Sequence, residues 1–503
     1  MPGVALFASA LFVVQQLEGT ALYFSAGCVA FILLSALAFN AGGGLTRAAG
    51  AYIFFYSMLV VIVGITYKAL LGEPAQSNLL APHTDILVYV GGSAGLLVAA
   101  LLSRLLVRRT PFLQNVLPEP MMYRASVGCI AFGVAGAFGL QMLGEAGFRL
   151  LTAFTQLNQL IPLGMIIGIM YVIRRTGGAH SLNMPVLIGG AYVFGFFGLL
   201  AFSKQGMLTP LLCWLLPVCA LRYRVSAMQV LGILAGVFVV FYFLVPYSQY
   251  GRRFAEPDQS ISERAALSAS LLSDPSQLRR NYESDPGTAG YYNKPQGFWD
   301  RLQFVSVDDP LVNATDEGKV FGLSPIPISF INVIPHVIWA NKPVKNFGNL
   351  YAHEIGNMNA EDYSTGISFS PTAEAYHMAK WIGLLAVAPA CWLMFFVVYD
   401  NLLGDLRTTP WGLLALALLA HVAPEGGLTG TVWLVTFGVE ILLFCALFSR
   451  WVAPYFAIAF LGPKPESGPV FSKPPVPIRR NRVRNRRVVS NPDGLERSPG
   501  PAS

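Results

Sequence analysis

The amino-acid sequence predicts an all-α fold, a polytopic transmembrane bundle of about 12 helices with one large external loop. Hydrophobic residues make up 54% of the 503 positions and charged residues only 12%, which is about half the charged share of a soluble domain. Apolar runs of roughly 17–25 residues, the length that crosses a bilayer, recur along the chain. The mean hydropathy is +0.54. We therefore expect lipid to surround most of the chain.

The predicted spans form two groups separated by a polar stretch. Residues 1–247 hold the N-terminal transmembrane helices, and residues 379–461 hold the C-terminal ones. In chain order the spans cover residues 4–16, 20–39, 51–67, 86–106, 126–142, 155–173, 185–202, 206–222, 226–247, 379–399, 411–424 and 429–449. The first and the eleventh are short for a hydrocarbon core of about 30 Å, so we expect about eleven to thirteen spans.

Arginines in alternate connections predict the orientation of the bundle. One set of connections contains Arg47, Arg108, Arg174, Arg222 and Arg407, whereas the other set contains few cations. Positively charged residues near the ends of spans remain in the cytoplasm. Both termini are therefore predicted to lie inside, and the large loop outside.

The large loop, residues 248–378, contains a segment that is itself long enough to span. Residues 320–340 are apolar but include Pro325, Pro327 and Pro335. A span here would move every later connection to the other side, so we expect a re-entrant or interfacial segment, which is tolerated where protein covers the backbone. Residues 462–503 are rich in Pro, Ser and Arg and predict a disordered basic tail in the cytoplasm.

Cations close to the external face are candidates for binding phosphate. Arg252 and Arg253 lie in the segment at the exit of the ninth span, Lys204 lies in a tight external turn, and Arg301 lies in the loop. Arginine suits phosphate because its planar donors bind two oxygens at once. Each of these cations has an alternative role without phosphate. Arg252 and Arg253 could pair with acidic neighbours, Lys204 could extend to the lipid head groups, and Arg301 could form a surface contact with an adjacent Asp.

The second half of the loop gathers side chains suited to acid–base chemistry and to sugar contact. Histidine and glutamate exchange protons near neutral pH, and aromatic rings either stack on sugars or lie at the membrane interface. The catalytic candidates are His336, His353, Glu374 and His377, and the further candidates for substrate binding are Lys342, Trp339 and Tyr351. The spacing of three between Glu374 and His377 predicts a shared helix face and a common cavity.

Other ionisable residues leave alternatives open. Asp308 and Asp309 either bind a divalent cation or lie in a simple turn. The histidines lack the His-x-x-x-His spacing of a zinc site, so no metal is predicted. His421 and Glu425, near the external end of the eleventh span, face either a cavity or only the interface.

Five short motifs follow one another along the chain. A small residue precedes a basic one in residues 203–206, and aromatic residues precede an Arg in residues 298–301. A Pro-basic-x-x-Trp-x-x-Lys-Pro segment covers residues 335–343, a Gly-x-x-Tyr segment covers 348–351, and a Thr, Ser and Glu run covers 365–374. With the long external loop, this arrangement resembles the oligosaccharide repeat-unit polymerases, the O-antigen polymerase type of bacterial envelope protein.

The resemblance implies a glycosyltransferase in the bacterial inner membrane, glycosyltransferase-C-like in fold. Such an enzyme polymerises oligosaccharide units of a surface polysaccharide or exopolysaccharide in the periplasm, using glycan on polyprenyl (undecaprenyl) pyrophosphate and no cofactor. Membrane lipids, a chain-length regulator and export machinery are expected partners, and nucleic acid is not. The family tends to have Arg at the positions of Lys204 and His336. The alternatives are an O-antigen ligase, which moves a finished glycan onto another lipid, and a multi-span transporter or flippase.

Overall fold

The computed structural model describes residues 1–462 except 109, 143–154, 256–258, 284–289, 297–298, 335–338, 340–341, 344, 360 and 363–365. Two sequence predictions lie outside the described residues, namely the basic tail from residue 463 and the candidate His336. Arg253 lies in a described helix, but its side chain is outside the description. Every regular element in the described residues is helical.

The helices follow the predicted spans and add several short elements in the loop. The first group is α1 (Pro2–Leu17), α2 (Leu22–Ala41), α3 (Ala48–Leu70), α4 (Pro82–Leu106), α5 (Met122–Met142), α6 (Leu160–Arg175), α7 (Met184–Leu200), α8 (Lys204–Ala220) and α9 (Ala227–Arg252). The loop holds α10 (Ile261–Ser273), α11 (Pro275–Glu283), a 3-10 turn (Trp299–Arg301), α12 (Val305–Asp316), α13 (Pro325–Ile331) and α14 (Phe347–Glu354). The last group is α15 (Pro371–Leu403), α16 (Pro410–Glu425), α17 (Gly427–Trp451) and α18 (Ala453–Leu461). Further 3-10 turns are Gly44–Thr46, Glu119–Met121 and Thr155–Gln159.

Helix length and composition make this a multi-pass membrane protein. In the described residues, eight helices are long and apolar enough to cross a bilayer, namely α2 to α6, α9, α15 and α17. Helices α1, α7 and α16 are apolar but shorter, and α8 contains Pro210 and Pro217. All twelve predicted spans overlap one of these helices, while a total of about twelve crossings stays a prediction.

Hydrogen bonds between buried side chains join the central helices. The hydroxyls of Tyr52 on α3 and Thr431 on α17 share a hydrogen bond of 2.8 Å, and the Trp392 indole on α15 donates to the Tyr52 oxygen at 3.2 Å. All three side chains are fully buried. In lipid no water is present to form hydrogen bonds with such polar groups, so they pair between helices and align α3, α15 and α17.

Two adjacent carboxylates attach the loop helix α12 to the bundle. Asp309 accepts hydrogen bonds from the main-chain N–H groups of residues 80–81, at 2.8–2.9 Å, just before α4 begins. Asp308 accepts from the Tyr89 hydroxyl and from the Ser370 N–H, both at 2.9 Å. The acidic pair therefore holds α12 against the starts of α4 and α15.

A second attachment joins the loop to α3. The Lys68 ammonium, which is fully buried, donates to the carbonyl of Tyr291 at 2.6 Å and lies 3.8 Å from the centroid of its ring. Farther along the loop, the N–H of Phe304 donates to the carbonyl of Val60 at 3.0 Å. These contacts fix both ends of the stretch that carries Arg301.

Residues 320–340 form no membrane-length helix in their described part. Helix α13 has only 7 residues and packs against the start of α17. Just before it, the N–H groups of Phe321 and Gly322 donate to the carbonyls of His377 and Met378 at 3.0–3.1 Å. Those carbonyls are available because α15 kinks at residues 379–380, where the backbone leaves the helical conformation.

Candidate functional site

A tight turn between α7 and α8 brings Lys204 to the end of α9. Phe202 adopts a φ of +49°, and its ring packs directly on Gly251, where a Cβ atom would lie 1.9 Å from the Phe202 ring. Only glycine permits this approach. The Phe202 carbonyl then accepts a hydrogen bond of 3.1 Å from the Nε of Arg252. Ser203 caps α8, so Lys204 is its first residue.

Two cations contact the amide of Gln249, and a third lies close to Lys204. The amide orientation follows from its neighbours, because only donors face one of its two terminal atoms, which is therefore the oxygen. This oxygen accepts from the Nζ of Lys204 at 3.2 Å and from the Nε and Nη2 of Arg301 at 3.3 and 2.5 Å. Arg252, one helical turn beyond Gln249 on α9, completes what we call the cation cluster: Lys204, Arg252 and Arg301.

The cation cluster carries uncompensated positive charge. Among the described residues, no carboxylate forms an ion pair with any of its three members, and Arg252 and Arg301 are exposed. Burial, and then the neighbouring Arg301 and Arg252, lower the pKa of Lys204 to about 7, against an opposing effect of Glu425. Since Lys204 also begins a helix, whose first N–H groups favour anions, the cluster suits a phosphate group.

Arg301 is positioned by its neighbours in the loop. Trp299 stacks on Tyr67 of α3, with ring centroids 4.4 Å apart. Gln303 packs against Gly64 of the same helix, where a Cβ atom would lie 2.6 Å from the Gln303 side chain. The 3-10 turn between these two contacts therefore holds the Arg301 guanidinium beside the start of α8.

A cavity of about 360 Å³ lies between the loop and the connection from α16 to α17. Glu374 and Tyr351 line it from the loop side, and Glu425, Thr429 and Trp433 line it from the opposite side. Its volume falls within the range of small-molecule sites, roughly 300–1,000 Å³.

Glu374, a predicted catalytic residue, is saturated with hydrogen-bond donors. Its carboxylate accepts from the N–H and the hydroxyl of Thr429 at 2.9–3.2 Å and from the Tyr351 hydroxyl at 3.1 Å. Only glycine fits at Gly427, because φ is +64° and a Cβ atom would lie 2.2 Å from Glu374 Oε2. The side chain is 2% exposed. Such a carboxylate anchors the start of α17, and its hydrogen-bonded oxygens have little remaining capacity to accept a further donor.

His377 and His353 are not among the residues that line that cavity. The His377 ring contacts the Thr315 hydroxyl at 2.9 Å and Glu354 at 3.3 Å, and the side chain is fully buried. The two ring nitrogens of His353 lie 2.9 and 3.1 Å from the carbonyls of Asn349 and Asn359. In the described residues, only Glu374 of the four catalytic candidates lines the cavity.

The other predicted binding residues have mixed surroundings. Lys342 donates to the carbonyls of Asn332 and Ile334 at 2.6–2.7 Å, so its ammonium braces the segment after α13. Trp339 is 41% exposed. Tyr351 is buried beside Glu374, and burial followed by that carboxylate raises its pKa, which keeps its hydroxyl protonated as a donor.

Gln249 and Thr429 take part in the site without any signal in the sequence. Each is a neutral polar residue at a helix end, and only the folded chain shows what its side chain contacts. Glu425 was recognisable as an ionisable residue near a span end, and it forms an ion pair with His421, one helical turn earlier on α16. Its place in the cavity wall required the tertiary structure.

Comparisons with known proteins return no relative. No family model, no curated protein and no solved structure matches the chain. A function is therefore proposed from the positions and the chemistry of the chain's own residues.

Proposed function

We propose that the chain is a glycosyltransferase that polymerises lipid-linked oligosaccharide repeat units of a surface polysaccharide or exopolysaccharide. The donor is a glycan on polyprenyl pyrophosphate, and the reaction takes place on the periplasmic side of the bacterial inner membrane. The observation that carries the proposal is the approach of Lys204 and Arg301 to the Gln249 amide oxygen, with Arg252 hydrogen-bonded to the Phe202 carbonyl two residues before Lys204. The approximately twelve spans, the periplasmic loop and the glycosyltransferase-C-like arrangement are parts of the same proposal.

Leaving-group chemistry explains why such an enzyme needs this cluster. When the bond between the sugar C1 and the pyrophosphate oxygen breaks, its electron pair remains on the pyrophosphate, where negative charge develops. Cations already in place stabilise that charge without reorganising during the reaction. Arg301 can offer two parallel donors to phosphate oxygens, and Lys204 adds a point charge at the start of α8.

The position of the cluster suits a lipid-anchored substrate. Arg252 and Lys204 lie at adjoining ends of α9 and α8, so a pyrophosphate bound between them would have its polyprenyl chain beside apolar helix surfaces. Helix α9 exposes large apolar side chains along its length, including Leu231, Leu234 and Phe238. A polyprenyl chain and membrane lipid both match that surface.

The test uses the full chain, purified in lipid nanodiscs, with lipid-linked oligosaccharide extracted from the cells that produce the protein. Product length is measured by gel electrophoresis and mass spectrometry. We expect Arg301→Ala to slow chain elongation by roughly 10- to 100-fold, the value of one or two lost charge-assisted contacts. Arg280→Ala is the matched control, because Arg280 is an exposed arginine elsewhere in the same loop.

Three outcomes would reject the proposal. Elongation at the wild-type rate in Arg301→Ala would show that the cation cluster does not contribute to the reaction. Transfer of glycan to a different lipid would indicate the ligase reaction. Movement of the lipid-linked unit between leaflets, with no new glycosidic bond, would indicate a flippase.

A further inference from the structure

The cavity has the lining expected of a saccharide site. Trp433 offers an indole face, while Asn332, Ser368 and Thr429 offer hydrogen-bonding groups. An aromatic surface combined with a few directional polar groups orients a small polar ligand. The cavity lies at the same end of α16 and α17 as the loop that carries the other candidate residues.

Two carboxylates line this cavity, and they differ in their freedom to accept a proton. Glu374 already receives its full set of donors, as described above. Glu425 is 35% exposed, and its ion-pair partner His421 is 49% exposed. One Glu425 oxygen pairs with His421 Nδ1, which leaves the other for a ligand. Of the two, Glu425 is therefore the group suited to act as a base.

Glu425 also lies close to the cation cluster, because α8, which begins at Lys204, packs against α16, which ends at Glu425. Although burial, Arg301 and Arg252 lower the pKa of Lys204, the negative charge of Glu425 acts in the opposite direction. The same carboxylate is part of the cavity wall. The phosphate-binding cluster and the cavity are therefore neighbouring sites, with Glu425 at their common border.

We propose that the cavity binds the acceptor saccharide and that Glu425 is the catalytic residue that removes the proton from its attacking hydroxyl, with His421 as the positioning residue. This inference rests on the proposed function, because it assigns the second substrate of the same reaction. It replaces Glu374 and the loop histidines as the base.

The step balances without any further reactant. The acceptor oxygen forms a bond to C1 of the donor glycan while the bond from C1 to the pyrophosphate oxygen breaks. The proton of the acceptor hydroxyl passes to the Glu425 carboxylate, and the electron pair of the broken bond leaves with the pyrophosphate. His421, being half exposed, can pass the proton on to water.

Saccharide binding is tested first, without turnover. The full chain is titrated with methyl glycosides of a hexose, an N-acetylhexosamine and a hexuronic acid, and tryptophan fluorescence is recorded. We expect at least one glycoside to change the fluorescence of the wild-type chain and not that of Trp433→Phe. Inorganic pyrophosphate serves as the second probe, for the cation cluster.

Turnover is tested with Glu425→Gln, which keeps the shape of the side chain. We expect elongation to fall by roughly 10²- to 10⁴-fold, the usual effect of losing a general base, with inorganic pyrophosphate bound within about threefold of wild type. The pH–rate profile of elongation should also shift in His421→Gln. Glu317→Gln, an exposed loop carboxylate, is the control and should elongate normally.

The outcomes separate the two proposals. Wild-type elongation together with full activity in Glu425→Gln would overturn the assignment of the base and leave the proposed function intact. If the wild-type chain elongates but no glycoside changes its fluorescence in a way that requires Trp433, the cavity is not the acceptor site. Absence of elongation by the wild-type chain, with glycoside binding retained, would refute the proposed function and keep the cavity as a sugar site.

Discussion

Replacing Gln249 by glutamate should stabilise the chain and impair its function. The amide oxygen of Gln249 lies 2.5–3.3 Å from donors of Lys204 and Arg301. A carboxylate there would form ion pairs with both cations and occupy donors that the substrate needs. The cluster would then carry its own permanent anion, in competition with pyrophosphate.

The magnitude follows from the exposure of the cluster. Two unit charges about 4 Å apart interact by roughly 1 kcal/mol in water and about 4 kcal/mol near a protein surface. Since Arg301 is exposed and Lys204 half-buried, we take the middle of that range. Added repulsion and lost donors should weaken pyrophosphate binding by about 2–3 kcal/mol, or roughly 30- to 150-fold. The new ion pairs should raise the melting temperature by roughly 1–3 °C.

Two assays check both halves of this prediction. Calorimetric titration of the Gln249→Glu chain with inorganic pyrophosphate measures binding, and thermal unfolding in detergent measures stability. Gln249→Leu separates loss of the bridge from gain of charge, and Gln277→Glu adds the same charge at an exposed loop position. Pyrophosphate affinity in Gln249→Glu equal to that of wild type would refute the reasoning, because the cluster would then not be where the anion binds.

Three further predictions concern pH and the supports of the site. Lys204, with a pKa of about 7, is charged below that pH and neutral above it, so pyrophosphate affinity should fall by up to about tenfold per pH unit above 7. Lys204→Arg should remove this dependence. Parallel titrations of the two chains test this, because the ionisation of pyrophosphate itself affects both equally. Asp308→Ala should loosen the attachment of α12, which Asp309 alone would then hold, at a cost of about 2–3 kcal/mol in the free energy of unfolding. Proteolysis in the loop should become faster, and unchanged cleavage would count against the attachment. Gly427→Ala should displace Glu374 and lower the melting temperature by several degrees, and a wild-type value would contradict the close contact.

Helices in the spans could be predicted because every backbone group within lipid must form its hydrogen bonds inside the protein. A backbone without water must satisfy its own hydrogen bonds, so an apolar run of sufficient length becomes a helix. Helix ends were less predictable. Helix α15 begins at Pro371, eight residues before the predicted span at 379, because Glu374 and His377 are buried by partners from the loop and from α17 rather than by lipid.

Charged members of the site could be predicted, and their partners could not. Lys204, Arg252 and Arg301 were candidates because cations at an external membrane face are unusual and chemically useful. Gln249 carries no such signal, since a neutral amide at a helix end fits many roles. Glu374 and Glu425 have the same side chain, and only their different hydrogen-bond partners distinguish an anchor from a candidate base.

The sequence alone determined that the chain is a helical membrane protein with a polar insertion, since hydropathy and length are properties of each segment by itself. Tertiary structure decided which residues meet, because the turn at Phe202, the glycine at 251 and the attachments of the loop to α3 and α4 join parts of the chain far apart in sequence. Convergence of three cations beside a cavity depends on all of these contacts at once.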